Sequence, residues 1–108
     1  YAGAFPTWLA PVQVEIIPVG EKHEKAVKKL AEVLRLQEIR AHADGANETV
    51  GYKIRKAVQQ KIPYMLVIGD KEMKSTKLAV RIRGKETTVA MTRTQFTTRI
   101  LKEIQNKK

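Results

Sequence analysis

Hydrophobic and polar positions repeat with two different periods along the chain, and each period predicts its own kind of element. Val12 to Ile17 begins with strict alternation, which is typical of a strand, and Pro18 is expected to stop it. Between Glu21 and Leu36 the apolar residues recur at helical spacing instead. The complete predicted order is strand 12–17, helix 21–36, strand 39–43, helix 48–60, strands 63–68, 78–83 and 87–91, and a last helix opened by a capping-box pattern at 92–95.

This order predicts an α/β domain. Strands and helices alternate through the first three strands, and connections of this kind are right-handed and make the strands parallel, with helices on both faces of the sheet. Pro63 to Ile68 is an unbroken apolar run, which is typical of a central strand buried on both faces. Arg81 and Arg83 occupy alternate positions of the fourth strand, so both should leave the same face.

The second helix is expected to carry its own start signal and an amphipathic pattern. Asn47 is the predicted N-cap, with Glu48 in the acidic first turn. The residues expected to face inward are Val50, Ile54, Ala57 and Val58, and those expected to face outward are Lys53 and Lys56.

Composition bounds the class of protein. A chain of 108 residues with 43% hydrophobic residues forms one domain without needing disulfides or metals. It contains no cysteine, which excludes thiol catalysis and is compatible with a cytoplasmic location. No stretch reaches the apolar length of a membrane span, so no membrane partner is expected. Residues 1–11 show no periodicity and are expected to pack on something else.

Charge points to a polyanionic partner. The formal net charge is +10, and residues 62–108 carry 11 basic against 4 acidic side chains. A localised basic excess most often indicates nucleic acid, and the alternative is a generic solubilising face.

Signals for catalysis are weak. His23 and His42 are the only histidines, and neither belongs to a metal or nucleophile–base pattern. His23 is expected at the solvated surface, and His42 could be half buried in its short strand. Gly69-Asp70 is interpreted as a plain turn. The chain also contains no Walker-type loop and no GxGxxG motif.

Recognition chemistry is better represented near the predicted strand ends. Unpaired RNA bases present hydrogen-bonding edges that mixed donors and acceptors can read. Asn47 donates and accepts, Glu72 accepts only, and Arg81 donates in a fork. Each also has a plain alternative: a helix cap, a solvated loop acid and an exposed strand charge. Their convergence on a basic domain favours RNA recognition.

Three stretches resemble a known family. They are Phe5-Pro6-Thr7-Trp8-Leu9-Ala10-Pro11-Val12-Gln13-Val14, then Asn47-Glu48 with Gly51-Tyr52-Lys53-Ile54-Arg55, and finally Lys61 to Glu72 with Val80-Arg81-Ile82-Arg83 downstream. At these residues the chain resembles the C-terminal anticodon-binding domain of the threonyl-tRNA synthetases, which are class II aminoacyl-tRNA synthetases. The resemblance covers essentially all 108 residues. It implies that 1–11 form a junction to a catalytic domain absent from this sequence, and that 12–108 form the anticodon-binding domain.

The resemblance also implies a fold and a site. The fold would be a three-layer α/β/α arrangement with a five-stranded mixed sheet and three helices. The central guanine and the following uridine of a threonine anticodon would be read, with Glu72 as the acceptor for the guanine. The implied RNA-binding residues are Asn47, Glu72 and Arg81 on the bases, with Arg55, Lys61, Lys53 and Arg83 nearby. The chain departs from the family pattern at Ala46, Thr49 and Lys61, which bears on affinity.

The implied parent protein is a threonine–tRNA ligase that uses ATP, magnesium and zinc, none of them bound by this segment. The expected partners are a threonine-type tRNA and the catalytic domain of the same chain; the parent would be a homodimer and the isolated domain a monomer. Three alternatives remain open. They are a standalone synthetase-like accessory module that binds RNA or protein, a small doubly wound enzyme, and a dimerisation module suggested by the apolar start of the chain.

Overall fold

The structure, a computed structural model, describes residues 6–45, 48–74, 77–84 and 88–107. Two single 3-10 turns, Thr7–Leu9 and Glu21–His23, accompany the regular elements. The strands are β1 (Val14–Pro18), β2 (Ala41–Ala43), β3 (Tyr64–Ile68), β4 (Lys77–Ile82) and β5 (Thr88–Thr92); the helices are α1 (Glu24–Leu36), α2 (Val50–Gln59), α3 (Asp70–Lys74) and α4 (Arg93–Gln105). None of the helices within these described ranges is long and apolar enough to cross a membrane.

The five strands form one mixed sheet in the order β2-β1-β3-β4-β5. β1 pairs in parallel with β2 and with β3, whereas β3–β4 and β4–β5 are antiparallel. The prediction that the first three strands are parallel, within a five-stranded mixed sheet, is therefore confirmed. Pro18 was expected to stop the strand after Ile17, but it is the last residue of β1 and pairs with Ile68.

Helices cover both faces of the sheet, because successive strand residues alternate between two cores. Ile16 and Leu66 belong to the larger core, which α1 and α4 cover. Ile17, which follows Ile16 in β1, and Met65, which precedes Leu66 in β3, belong to the smaller core under α2. The three-layer α/β/α prediction is thus confirmed, with α3 as a fourth, single-turn helix that was not predicted.

The start of α2 differs from the prediction. The helix begins at Val50, and Thr49 is its N-cap, with a side-chain oxygen that accepts a hydrogen bond from Tyr52 N. The predicted cap, Asn47, lies outside the described residues. A Thr hydroxyl is a good acceptor for the third amide of a helix, so the helix starts at Val50, two residues after the start at Glu48 that the sequence pattern predicted. The capping box predicted for α4 is confirmed, between Thr92 and Gln95.

The connection after β3 is a short helix and not the plain turn that was expected. The Glu72 carboxylate accepts a hydrogen bond from Gly69 N at 2.9 Å, three residues back. A carboxylate in this position satisfies an amide that the first helical turn leaves without a partner. This local bond allows Asp70 to Lys74 to complete one turn.

The N-terminal segment packs on the domain itself. Thr7 is buried, and its hydroxyl donates to Glu103 Oε1 of α4 at 2.8 Å. Arg40 Nε donates to the carbonyl of Ala10, and Gln13 Nε2 donates to the carbonyl of Thr7. Residues 1–5 lie outside the described part of the chain, and both the expected role of residues 1–11 as a junction and the domain boundary at residue 12 stay predictions.

Candidate nucleic-acid interface

α2 covers only part of its side of the sheet. Its core residues pack over β1 and β3, through Ile17 and Met65. Across from Met65, Arg81 continues the same face onto β4, and Arg81 in turn lies opposite Thr88 of β5. The face that extends beyond α2, here called the basic sheet face, consists of Lys77, Ala79, Arg81, Arg83, Thr88, Ala90 and Thr92.

Arg81 is the central cation of the basic sheet face. It is half-buried and lines a cavity of about 220 Å³ together with Val58, Ile62 and Met65. Within the described part of the chain, its guanidinium forms no hydrogen bond or ion pair. A fork of donors beside an apolar wall can take a planar acceptor group from outside the protein.

Arg83 and Lys61, both predicted site residues, meet at the edge of this face. Arg83 Nη1 donates to the carbonyl oxygen of Lys61 at 2.9 Å. Lys61 ends α2 in the left-handed conformation, with φ of 57°, and Ile62 N then donates to the carbonyl of Ala57. The backbone of the helix end thus holds the Arg83 side chain next to Arg81, with which it lines the same cavity.

Glu72 lies on the other side of the sheet end. It lines a cavity of about 640 Å³ with Lys29 and Arg93, between α1, α3 and the start of α4. Its Oε1 is bonded to Gly69 N, and Oε2 has no hydrogen-bond partner among the described residues. The structure therefore brings Arg81, Arg83 and Lys61 together, and places Glu72 in a separate cavity at the carboxyl end of β3.

Lys53 does not face outward, so that prediction is wrong. It is only 4% exposed, and its Nζ donates to the carbonyl of Asp44 at 3.1 Å. Lys56 does reach the surface, where an ion pair with Glu48 at 2.8 Å raises the pKa of Lys56. Val58, predicted to face inward, is 51% exposed. The buried stripe of α2 runs through Lys53 and Ala57, four residues apart, because a lysine stem buries well when its ammonium finds a carbonyl.

The two remaining site residues stand apart. Arg55 is exposed on α2 and has no partner within the described ranges. Asn47 lies outside the described residues, so its role at an RNA base stays a prediction.

His23 is the main feature that sequence reasoning missed. This histidine was expected at the surface but is only 2% exposed. Its Nδ1 accepts a hydrogen bond from Gly20 N at 3.0 Å, and its Nε2 lies 2.8 Å from Asp70 Oδ1. This bond, together with Lys22, lowers the pKa of Asp70. The partner is 47 residues away along the chain. No local sequence pattern could have predicted this hydrogen bond.

His42 has a surface-facing ring that bonds to a buried carboxylate. Its side chain is 57% exposed, and Nδ1 bonds to Glu15 Oε1, whose own side chain is 7% exposed. Burial raises the pKa of Glu15, and the His42 bond offsets part of that effect. In the described ranges no group of three or more His, Cys, Asp or Glu residues could hold a metal ion.

The three-layer fold, with a basic sheet face left open beside α2, defines the class of protein: an α/β domain with a candidate nucleic-acid interface. The model of the family described as "Anticodon binding domain" matches residues 13–103, and the chain belongs to this family. Its relatives are named threonine–tRNA ligases: that of Desulforamulus reducens is 49% identical over 107 residues, and that of Clostridium novyi is 50% identical over 107 residues. Both comparisons cover 99% of this chain but only 17% of the relative, so the chain spans about a sixth of their length.

A solved structure is similar as well. The RNA-binding domain of threonyl-tRNA synthetase from Cryptosporidium parvum superposes with a TM-score of 0.87 at 26% sequence identity. The superposition covers 94% of this chain and 26% of that one. The resemblance inferred from the sequence is therefore confirmed at the level of family and fold.

Proposed function

We propose that this chain is the tRNA-recognition domain of a threonine–tRNA ligase and binds the anticodon stem-loop of a threonine-type tRNA. The observation that carries this proposal is the family match over residues 13–103. The relatives are named threonine–tRNA ligases, which indicates threonine as the amino acid in this proposal. The excess of basic side chains supplies attraction to the RNA backbone, whatever its sequence.

The proposed contacts follow from the chemistry of the side chains. Arg81, Arg83 and Lys61 offer donors around the basic sheet face, where phosphates and base edges can accept hydrogen bonds. Glu72 offers a carboxylate, which suits guanine because its pairing edge presents two adjacent N–H donors. Threonine codons share their first two letters, so the central guanine and the following uridine of the anticodon are the bases worth reading.

The proposed parent protein is several times longer than this chain and carries the ligase chemistry elsewhere. ATP, magnesium and zinc would act in its other domains, and the proposed setting is the cytoplasm. The catalytic domain is the intramolecular partner in this proposal, and it also holds the main contacts of a parent homodimer. The isolated 108-residue domain is then a monomer, and a stable dimer at micromolar concentration on a sizing column would contradict that.

Binding of a fluorescent threonine-type stem-loop tests the function directly. Arg81→Gln should weaken binding, because it removes a charged fork from the basic sheet face while leaving the exposed sheet intact. Lys102→Gln, on an exposed position of α4, is a matched loss of one positive charge on the opposite face. Equal weakening by the two substitutions would place the RNA elsewhere, and no binding by the wild-type chain would reject the function.

A further inference from the structure

His23 links the start of α1 to the start of α3. Its imidazole is 3% exposed, Nδ1 accepts from Gly20 N at 3.0 Å, and Nε2 lies 2.8 Å from Asp70 Oδ1. The backbone amide can only donate, so Nδ1 carries no proton and the hydrogen of the neutral ring sits on Nε2. The ring therefore accepts from Gly20 and donates to Asp70 at the same time.

Further contacts fix the same segment. Lys22 Nζ donates to the second oxygen of Asp70 at 3.0 Å, and Val19 N donates to the carbonyl of Ile68 at 2.9 Å. A Cβ on Gly69 would lie 3.1 Å from Val19 Cγ2 and 3.3 Å from Glu72 Oε1. The loop before α1 and the turn after β3 are thus packed without room for a larger residue.

Glu72 follows two residues after Asp70, in the same single turn of helix. That turn is too short to hold its own orientation, since isolated helical turns are unstable in water. Its direction must come from contacts outside it. Asp70 supplies two of them, both to residues that open α1.

We propose that His23 is a positioning residue for Glu72, which holds α3 through Asp70 so that the Glu72 carboxylate meets the central anticodon base in one orientation. This inference rests on the proposed function, because it takes Glu72 as the group that reads the base. His23 itself is buried and contacts no RNA. Its effect is on discrimination between bases and not on attraction to the RNA backbone.

Two amide substitutions separate the two hydrogen bonds of His23. His23→Asn places a side-chain acceptor near the Nδ1 position, so it keeps the bond from Gly20 and loses Asp70. His23→Gln places a donor near the Nε2 position, so it keeps Asp70 and loses Gly20. Each variant is titrated with a threonine-type stem-loop and with one in which adenine replaces the central guanine.

The Asn variant should lose the guanine preference, and the Gln variant should keep it. We expect the guanine-to-adenine affinity ratio of His23→Asn to fall to that of Glu72→Gln, within about twofold. In the His23→Asn, Glu72→Gln double variant the ratio should fall no further, because both changes act through one carboxylate. The salt dependence of binding should match the wild type throughout.

Asp70→Ala provides a second route from the exposed side, where the side chain is 62% exposed, and it removes the bond to His23 together with the bond to Lys22. It should lower the ratio at least as far as His23→Asn does, even if that variant folds poorly. An unchanged ratio in Asp70→Ala, or an equal loss in His23→Gln, would overturn the positioning role. A wild-type chain without guanine preference would instead overturn the proposed function, and this inference with it.

Discussion

Tyr64→Phe tests how β3, α4 and the N-terminal segment are held together. The Tyr64 hydroxyl donates to Glu103 Oε2, and Thr7 donates to the other oxygen of that carboxylate. The ring also packs edge-on against Phe96, with centroids 5.4 Å apart. Replacement by Phe removes the hydroxyl and leaves the ring contact in place.

The lost hydrogen bond sets the magnitude. A hydrogen bond to a charged group contributes about 1.5–3 kcal/mol, and its loss leaves Glu103 short of one donor, so the expected loss is about 2 kcal/mol. Burial, and secondarily the Glu103 bond, raise the pKa of Tyr64 from 10.0 to about 12.

The pKa shift also fixes a pH dependence. The folded-state pKa of Tyr64 lies above the unfolded value, so its contribution is fully present below pH 10.0 and is lost as pH rises towards about 12. Urea unfolding of wild type and Tyr64→Phe should therefore differ by about 2 kcal/mol at neutral pH, and the gap should close above pH 10.0. A gap below about 0.5 kcal/mol, or one that stays constant with pH, would refute the reasoning.

Three further substitutions test other parts of the structure. Lys53→Ala should lower the free energy of unfolding by about 1–3 kcal/mol, because it strips the buried donor from the Asp44 carbonyl. Arg55→Ala, at an exposed position of the same helix, should change it little, and equal effects in urea unfolding would contradict the burial of Lys53. Glu15→Gln should match or exceed the wild-type melting temperature at neutral pH, since the raised pKa of Glu15 means that its ionised form opposes folding. This advantage should vanish as pH falls below 4.5, and a neutral-pH loss would contradict it. Lys61→Gly should raise stability by about 1 kcal/mol by relieving the left-handed conformation, yet weaken RNA binding by removing a cation; a lower melting temperature would count against this.

The sheet could be predicted because its signals are local. The run from Tyr64 to Ile68 is apolar at every position, and two helices of the right length separate the first three strands. Right-handed crossovers then leave little choice about which strands run parallel. The fourth strand followed from alternation, and Arg81 and Arg83 line the same cavity, in agreement with the predicted shared face.

The details of the candidate site could not be predicted in the same way. The buried states of His23 and Lys53 depend on Asp70 and on the Asp44 carbonyl, and a residue's own spacing says nothing about a partner in another element. The single turn of α3 depends on one bond from Gly69 to Glu72 in a segment too short for periodicity. Strand-end reasoning likewise grouped Glu72 with Arg81, although β4 runs back along β3 and carries Arg81 to the level of Met65.

The central claim is that this domain reads an anticodon, and one titration tests it most directly. The 108-residue chain is titrated with a threonine-type stem-loop and with its central-adenine counterpart, at two salt concentrations. A base contact is short-ranged and survives added salt, so we expect the guanine loop to bind more tightly at both concentrations, by the equivalent of about 1–3 kcal/mol. Equal binding of the two loops, with a steep loss of affinity in higher salt, would contradict the claim.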